Sequence, residues 1–419
     1  MSNTGSFALL RATLFFSESE NFTTWEALGG DVLEPPIVSG AIALIDAQFI
    51  VDLHQQGGRI VRRQDLPPEA FIDLSLLKKS ELNRKNIGLR IICVSYPWLQ
   101  PDNPDPHSAH LATVARMCKA YIAGGLCPKK LQDGGAWAVM WDYMSLHQRP
   151  SDGGDRTATE AELFGQGLGS LAAFYAHPYT TVFKLTVPPC DWPHAYSLPD
   201  DANIAEYGDR GWCFTEQSWA SMVKPGFFCL DVGNLERLAK RRIIVTVKGV
   251  QKEVLVSEAT DKVTLLSVCV KNIKSRLDGR KPAVCPQEFA AALESRRFTN
   301  GKEDKPLVRR LYEDSFTAEM GKPEMLDFNG LGWDDGEARG LAQVLSTGAC
   351  INTQHIDMRG NCFSYEGARA IADVLADRTF LPKLKAVDFR NAPNLQPSEL
   401  EELQRTLRRY GVMLATGKR

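Results

Sequence analysis

The spacing of hydrophobic positions changes several times along this chain, and each change predicts a different element. Residues 89–95 are almost continuously apolar, which is typical of a strand buried on both faces of a parallel sheet. Apolar positions at helical spacing follow between 111 and 122, and a second buried strand is predicted at 136–141. A helix at about 160–175 and a strand at 181–185 continue the alternation. This order predicts parallel pairing through right-handed crossovers, and hence a doubly wound, flavodoxin-like α/β domain.

The C-terminal part of the chain repeats itself. Leu326-Asp327-Phe328 recurs 30 residues later as Ile356-Asp357-Met358, and after 31 more as Val387-Asp388-Phe389. Apolar positions in 338–345 recur in 368–375 with the same offset of 30, which predicts a helix behind each strand. A strand plus a helix per repeat is the unit of a leucine-rich repeat solenoid, so residues 321–419 are predicted to form a short α/β solenoid.

These repeats resemble the ribonuclease-inhibitor type of leucine-rich repeat. Asn361 occupies the Asn position of the L-x-L-x-x-N pattern, whereas Leu331 and Ala392 replace that Asn in the flanking repeats. The third unit is predicted to be a cap. Four apolar positions should be buried between the repeat helices, namely Leu341, Leu345, Ile371 and Leu375. Because so few repeats stack, they should use the preceding segment or the α/β domain as their N-terminal cap.

Two segments flank the α/β domain, which we place at residues 89–235. Residues 1–88 mix short apolar runs with turn-rich stretches and predict a small α+β lead-in. Residues 236–320 predict a basic, largely helical bridge to the repeats. A basic connector can attract anionic partners, but we favour a solvated helical surface that balances acidic neighbours.

Composition limits the classes of function. The chain has 419 residues, 24% of them charged, and a net charge of −2, which is typical of a multidomain globular protein and gives no indication of nucleic-acid binding. No stretch approaches the roughly 20 apolar residues that span a bilayer, and the first residues do not resemble a signal peptide. Ten cysteines without a C-x-x-C pair favour a reducing compartment. A cytoplasmic protein without a membrane partner is therefore expected.

Candidate chemistry lies at the carboxyl ends of the predicted strands, where open parallel sheets bind ligands. Three polar segments occur there: Ser95-Tyr96-Pro97-Trp98, then the run from Asp142 to Gln148, and then the run from Asp209 to Glu216. We therefore expect these segments to converge at one edge of the sheet.

The same segments resemble two signalling families. Val94-Ser95-Tyr96-Pro97-Trp98 resembles the opening S-Y-x-W of HET domains and the strand plus S-Y of TIR domains. Trp141-Asp142, Gln148, Glu160, Gln166 and Tyr175 are similar to the HET run W-x-D…Q…E…Q…Y. Arg210-Gly211-Trp212-x-x-x-Glu216 resembles both the HET R-G-W-T-x-Q-E signature and the TIR motif W-x-x-x-E. The resemblance spans residues 89–220, and it departs from the HET pattern at Thr215, which stands in place of Gln.

The TIR resemblance implies a catalytic role for Glu216. In TIR domains the Glu of W-x-x-x-E is associated with NAD⁺ cleavage, and a carboxylate beside the ribose can stabilise oxocarbenium charge as in glycosidases. Trp212 lies four residues earlier on the same helix and should share the face of Glu216. Tyr96 or Trp98 could stack on a base or nicotinamide ring, with Asp142 beside them. NAD⁺ would then be a substrate, and no cofactor is expected.

A second interpretation assigns no chemistry to the domain. Trp212 would fill the core, Arg210 would pair with a local carboxylate, and the α/β domain would be a self-associating scaffold. In both interpretations the repeats bind a protein partner. An open pocket shared by Glu216, Tyr96, Trp98 and Asp142 would favour catalysis. A buried Glu216 paired with Arg210 would favour the scaffold.

Two other motifs carry less weight. His107-x-x-His110 has the spacing of metal ligands, but it lacks a predicted third ligand, so no metal is expected. Gly165-x-Gly167-x-Gly169 imitates a dinucleotide-binding motif but follows no strand, so these glycines are expected to allow close packing of a helix.

Overall fold

The computed structural model describes residues 23–80, 82, 88–123, 135–150, 152–200, 202–234, 242–247, 250–255, 280–299 and 304–415. Its larger sheet has five strands: β1 (Ile45–Asp46), β2 (Ile91–Ser95), β3 (Ala138–Met140), β4 (Thr181–Lys184) and β5 (Cys229–Asp231). Their order is β1-β3-β2-β4-β5. All neighbouring pairs are parallel except β1 with β3. The predicted parallel sheet with β2 and β3 in its interior is confirmed, and its antiparallel edge comes from the N-terminal lead-in.

Helices cover both faces of this sheet. In chain order they are α1 (Glu34–Val38), α2 (Ala47–Gln55), α3 (Leu74–Lys79), α4 (Ala109–Ile122), α5 (Asp142–Ser145), α6 (Ala158–Ala176) and α7 (Gly211–Ala220). Ile92 and Val94 of β2 pack with α2 and α4, whereas Ile91 and Cys93 face the cluster that contains α6 and α7. Burial on both faces explains why the sequence of β2 is continuously apolar.

Helix α4 begins later than its sequence suggests. The residue types favour Asp105 as the N-cap, but the helix begins at Ala109 and its N-cap is Ser108. The fully buried carboxylate of Asp105 nevertheless accepts hydrogen bonds from the backbone N–H groups of His110 (3.1 Å) and Leu111 (2.7 Å). Asp105 therefore satisfies free N–H groups of the first turn from outside the helix.

The second sheet contains four parallel strands: β8 (Met325–Asp327), β9 (His355–Asp357), β10 (Ala386–Asp388) and β11 (Met413–Ala415). Helices α10 (Asp335–Leu345), α11 (Tyr365–Ala376) and α12 (Pro397–Arg409) alternate with these strands. The four helix positions predicted to be buried, Leu341, Leu345, Ile371 and Leu375, are at most 1% exposed. The register aligns Leu326 with Ile356 and Ile356 with Val387, which is the register that the sequence repeat predicts.

Asn361 ties two successive repeats together. Its side-chain amide donates to the carbonyl oxygens of Phe328 (2.8 Å) and Met358 (2.9 Å) and accepts from the N–H of Trp333 (3.1 Å). The side chain is fully buried, so these three bonds satisfy backbone groups that water cannot reach.

The predicted bridge contains strands as well as helices. β6 (Arg242–Val247) and β7 (Val250–Leu255) form an antiparallel pair, followed by α8 (Pro286–Glu294) and α9 (Asp304–Met320). Helices α8 and α9 pack against each other, and α9 also contacts α6 and α7. One apolar cluster continues from Trp25 through α6, α7 and α9 to Leu414 in β11. This shared cluster agrees with the expectation that the repeats use the preceding segment or the α/β domain as their N-terminal cap.

Candidate functional site

The carboxyl ends of β2 and β3 bring the predicted site residues together. Ser95 is the last residue of β2, and Tyr96 and Trp98 follow directly. Asp142 is the first residue of α5, which begins two positions after β3 ends. Because β2 and β3 are parallel neighbours, these segments meet at one edge of the sheet, as the sequence predicted.

The carboxyl group of Asp142 organises this edge. It accepts hydrogen bonds from the hydroxyl of Tyr96 (2.8 Å), the indole N–H of Trp98 (3.2 Å) and the backbone N–H of Tyr143 (2.6 Å). Burial raises its pKa, and these three donors oppose the rise. The rings of Tyr96 and Trp98 are thereby held by polar bonds to Asp142. Tyr96 is 4% exposed, and its ring also packs edge-on against Trp141 at 5.5 Å.

Glu216 lies in a closed polar centre. It is 6% exposed, and its Oε2 atom accepts a hydrogen bond from Ser95 Oγ at 2.5 Å. Ser95 Oγ is also 2.7 Å from the hydroxyl of Tyr207. The hydroxyl of Tyr175 donates to the carbonyl of Val94 at 2.8 Å and lies beside the Glu216 carboxyl group. Hydroxyl groups therefore occupy the space around this carboxyl that an approaching ribose would require.

The environment of Glu216 favours its protonated form. Burial raises the pKa of this carboxyl well above its ordinary value of 4.5, and the nearby charge of Asp142 raises it further. The hydrogen bond from Ser95 and the nearby hydroxyl of Tyr175 act in the opposite direction and are smaller effects. A neutral carboxyl group can hydrogen-bond within the network. It supplies no negative charge to stabilise an oxocarbenium ion.

Trp212 takes its contacts elsewhere. Its indole N–H donates to Asp304 Oδ2 at 2.9 Å, and its ring packs edge-on against Phe298. Helix α7 therefore presents Glu216 to β2 and Trp212 to the start of α9. The ring of Phe298 would also meet any Cβ at Gly211, which explains why the residue before Trp212 has no side chain.

Arg210 bonds to carbonyl groups. Its guanidinium donates to the carbonyl oxygens of Trp98 (2.6 Å), Asn203 (2.6 Å) and Ala205 (2.8 Å). The expectation that Arg210 would pair with a local carboxylate is therefore not met, and Glu216 has Ser95 as its hydrogen-bond donor. The structure thus satisfies one half of the scaffold criterion, a buried Glu216, but not the other half, pairing with Arg210.

The two minor motifs have structural explanations. His110 is buried and its Nε2 lies 3.1 Å from the carbonyl oxygen of Pro97, whereas His107 packs against Tyr196 with the two rings tilted by 32°. Gly167 allows close packing of α6, since a Cβ there would lie 2.6 Å from Leu146 Cδ2. Gly165 and Gly169 have no such neighbour, so that expectation is confirmed for Gly167 alone.

Neither a metal cluster nor a membrane-spanning helix occurs among the described residues. Their His, Cys, Asp and Glu side chains form no group of three or more that could hold a metal ion. None of the helices in the described ranges has both the length and the apolar character needed to cross a bilayer.

Comparison with known proteins adds no assignment. No protein-family model matches the chain, and neither a curated protein nor a solved structure shows significant similarity to it. The function must therefore be inferred from the site and the fold.

Two important residues carried no signal in the sequence. Tyr207 completes the centre around Ser95 from 112 positions away, and only the tertiary structure brings them together. Lys224 is fully buried, and its Nζ donates to the carbonyl oxygens of His177 and Thr180 and to Thr180 Oγ1. Burial lowers the pKa of Lys224 to about 7. A single lysine followed by a proline in the sequence gives no indication that its side chain is buried and hydrogen-bonded in this way.

Proposed function

We propose that this chain is a signalling or interaction protein whose TIR/HET-like α/β domain is a catalytically silent scaffold. Its C-terminal leucine-rich repeats would form a solenoid that binds a protein partner. The observation that carries the proposal is the closed environment of Glu216, which is 6% exposed and bonded to Ser95. A catalytic carboxylate for NAD⁺ cleavage would need to be ionised and next to a ribose-sized space.

The position of α7 supports the same proposal. Most of its residues are buried between the sheet and helices α8 and α9, including Trp219, whose indole N–H donates to Ser315 Oγ at 2.8 Å. Phe214 stacks on Phe289 of α8 with 5.1 Å between ring centroids. The helix that carries the W-x-x-x-E motif is therefore an internal connector, so self-association of the α/β domain would have to use other surfaces.

The face of the second sheet that carries the partly exposed residues Met325, His355 and Met413 is the surface that we assign to the partner. A small, open depression lies there, lined by residues from all four strands. Met325, His355, Ala386 and Met413 form one row across the four strands, and three of these four residues are partly exposed. Asp357 and Asp388 form the next row, and each is held by the arginine two positions later. The aspartates are buried, so a partner would meet mainly the apolar row on a rigid sheet, which is suited to the apolar centre of a protein interface.

NAD⁺ cleavage remains the second candidate, and one observation favours it. Tyr96, Trp98 and Asp142 are linked by hydrogen bonds, and Glu216 is close enough for Asp142 to raise its pKa. Four of the five residues implied by the TIR resemblance thus converge at one sheet edge. Glu216 would be the catalytic group and NAD⁺ the substrate, provided that the site opens.

The deciding experiment is an assay of NAD⁺ cleavage. The purified full chain is incubated with NAD⁺, both dilute and after chemical crosslinking into oligomers, and released nicotinamide is measured by chromatography. The scaffold proposal predicts no release above the protein-free background.

Matched variants make the assay interpretable. Glu216→Gln removes the candidate carboxyl group, and Glu313→Gln removes a half-exposed carboxyl group on α9. Nicotinamide release by the wild type that persists in Glu313→Gln and disappears in Glu216→Gln would replace the scaffold proposal with the catalytic one.

A further inference from the structure

The segment between β4 and α7 lies across the carboxyl end of β2. We call residues 186–200 and 202–206 the strap. The indole N–H of Trp192 in the strap donates to the carbonyl of Leu99 at 3.2 Å, and Gln100 Nε2 donates to the carbonyl of Ser197 at 2.7 Å. Tyr207, directly after the strap, reaches Ser95. The strap therefore lies against the loop after β2, beside the Ser95–Glu216 pair, and Tyr207 connects it to Ser95.

The side chain of Arg210 joins the strap to the loop after β2. Arg210 Nη1 donates to the carbonyl of Trp98 in the loop after β2, at 2.6 Å. Its Nη2 and Nε donate to the carbonyls of Asn203 and Ala205 in the strap, at 2.6 and 2.8 Å. The guanidinium also lies 5.6 Å from the ring centroid of Trp192. A planar fork of donors is needed to span three carbonyl groups in this way, and lysine cannot reproduce it.

The burial of Arg210 makes these bonds strong. The residue is 4% exposed, and burial lowers the pKa of its guanidinium, with Cys213 opposing this effect. Charge-assisted hydrogen bonds in a water-poor site are stronger than neutral ones. If the strap moved away, water would replace the carbonyl groups of Asn203 and Ala205 around the guanidinium. The closed state therefore depends on the hydrogen bonds that Arg210 makes with both the strap and the loop after β2.

We propose that Arg210 is a latch that holds the strap closed over Glu216, and that release of the strap exposes this polar centre to solvent and ligands. The inference goes beyond the proposed function, because it concerns access to the centre whether or not any chemistry takes place there. It also states the opening motion that a ligand of Glu216 would require.

Two cysteines provide a local and a global probe of opening. Cys213 lies in the first turn of α7, is 3% exposed, and is close to both Arg210 and Glu216. Cys350 is fully buried in the repeats. Strap opening should expose Cys213 alone, whereas global unfolding should expose both thiols.

The experiment measures thiol alkylation of the native full chain, followed peptide by peptide with mass spectrometry. Arg210→Gln and Arg210→Lys are compared with Arg309→Gln, which removes an arginine that is 59% exposed on α9. In both Arg210 variants the alkylation of Cys213 should accelerate by about tenfold or more, since losing one charge-assisted bond shifts an opening equilibrium by about that factor. Cys350 should react at the wild-type rate.

Two outcomes would overturn the latch. One is an unchanged rate at Cys213 in both Arg210 variants. The other is a parallel acceleration at Cys213 and Cys350, which would mean that Arg210 only stabilises the whole fold.

A second measurement needs no variant. Within the strap, the backbone N–H of Trp192 donates a hydrogen bond to the carbonyl oxygen of Pro189, and the backbone N–H of Tyr196 donates to that of Pro193. In wild-type protein these amides should exchange hydrogen through an opening that leaves the amides of β2 protected. Exchange of strap and β2 amides in a single common event would exclude a separately opening strap.

Discussion

The carboxyl group of Glu216 illustrates how burial determines protonation. Its hydrogen-bond donor is the neutral hydroxyl of Ser95, and the nearby carboxyl group of Asp142 opposes ionisation. Burial and the charge of Asp142 both raise the pKa of Glu216, so the folded protein retains a proton that the unfolded chain releases. A residue whose motif implies an ionised catalytic group therefore lies in an environment that favours its neutral form.

This raised pKa makes a prediction about stability and pH. A carboxyl group with a raised folded-state pKa contributes stability that is fully present below its unfolded value, near 4.5, and that is lost as the pH rises through the folded value. Each unit of pKa difference corresponds to about 1.4 kcal/mol. The stability of the wild type relative to Glu216→Gln should therefore fall as the pH rises above about 4.5, because only the wild type carries this contribution.

Urea unfolding at several pH values between 5 and 8 measures this effect. Other buried groups also contribute to both curves, among them Asp142 with a raised pKa and His177 and Lys224 with lowered pKa values, so the comparison is between the slopes of wild type and variant. Glu313→Gln on the exterior of α9 should keep the wild-type slope. Identical slopes for Glu216→Gln and the wild type would show that Glu216 is ionised in the folded protein.

Each repeat in the C-terminal sheet depends on its neighbours for hydrogen bonds. Asn361 satisfies Phe328 and Trp333 of the preceding repeat and Met358 of its own repeat. The corresponding positions in the flanking repeats are Leu331 and Ala392, which cannot make such bonds. In a repeat array with an asparagine in every unit, several side chains would satisfy such backbone groups. Here Asn361 does so where Leu331 and Ala392 cannot.

Replacing Asn361 by Ala should destabilise the repeats strongly. The change leaves a buried N–H and two buried carbonyl groups without their partner, and each such group costs about 1–3 kcal/mol. Chemical unfolding should show a loss of at least about 2 kcal/mol on this basis. Asn394→Ala is the control, because Asn394 is exposed and makes one bond, to the carbonyl of Cys362. Equal effects of the two substitutions would contradict the role of Asn361.

The α/β domain and the repeats share one core. Helix α7 packs against the sheet on one side and against α9 on the other, and α9 leads directly into β8. Arg280, which is 2% exposed, crosses the same junction. Its guanidinium donates to the backbone carbonyl oxygens of Asp327 in the first repeat (2.6 Å) and of Met222 after α7 (3.1 Å). The two parts should therefore unfold together.

Arg280→Met tests this junction. Methionine keeps the apolar stem but cannot donate to the carbonyls of Ser221, Met222 and Asp327. The loss of charge-assisted bonds should cost about 3 kcal/mol or more and should split unfolding into two transitions. Fluorescence and circular dichroism during denaturation would detect the split, and Arg309→Gln should retain a single transition. A single transition in Arg280→Met at unchanged stability would contradict this coupling.

Hydrophobic spacing in the sequence predicted most of the elements. β2 is apolar at every position that faces a helix layer, so its two-sided burial follows from the sequence alone. The offset of 30 between Leu326 and Ile356 likewise predicted their alignment in neighbouring strands. These features depend on local periodicity, which the sequence records directly.

The state of the candidate site depended on contacts between distant parts of the chain. Ser95 and Glu216 are 121 positions apart, and Arg210 meets Trp98 across 112 positions. No local pattern encodes whether a carboxyl group at a sheet edge is open or covered. The sequence by itself therefore determined the elements, their faces and the convergence of the site residues. Only the tertiary structure decided the burial of Glu216 and the direction of its pKa shift, because both follow from long-range packing of α7 against β2 and α6.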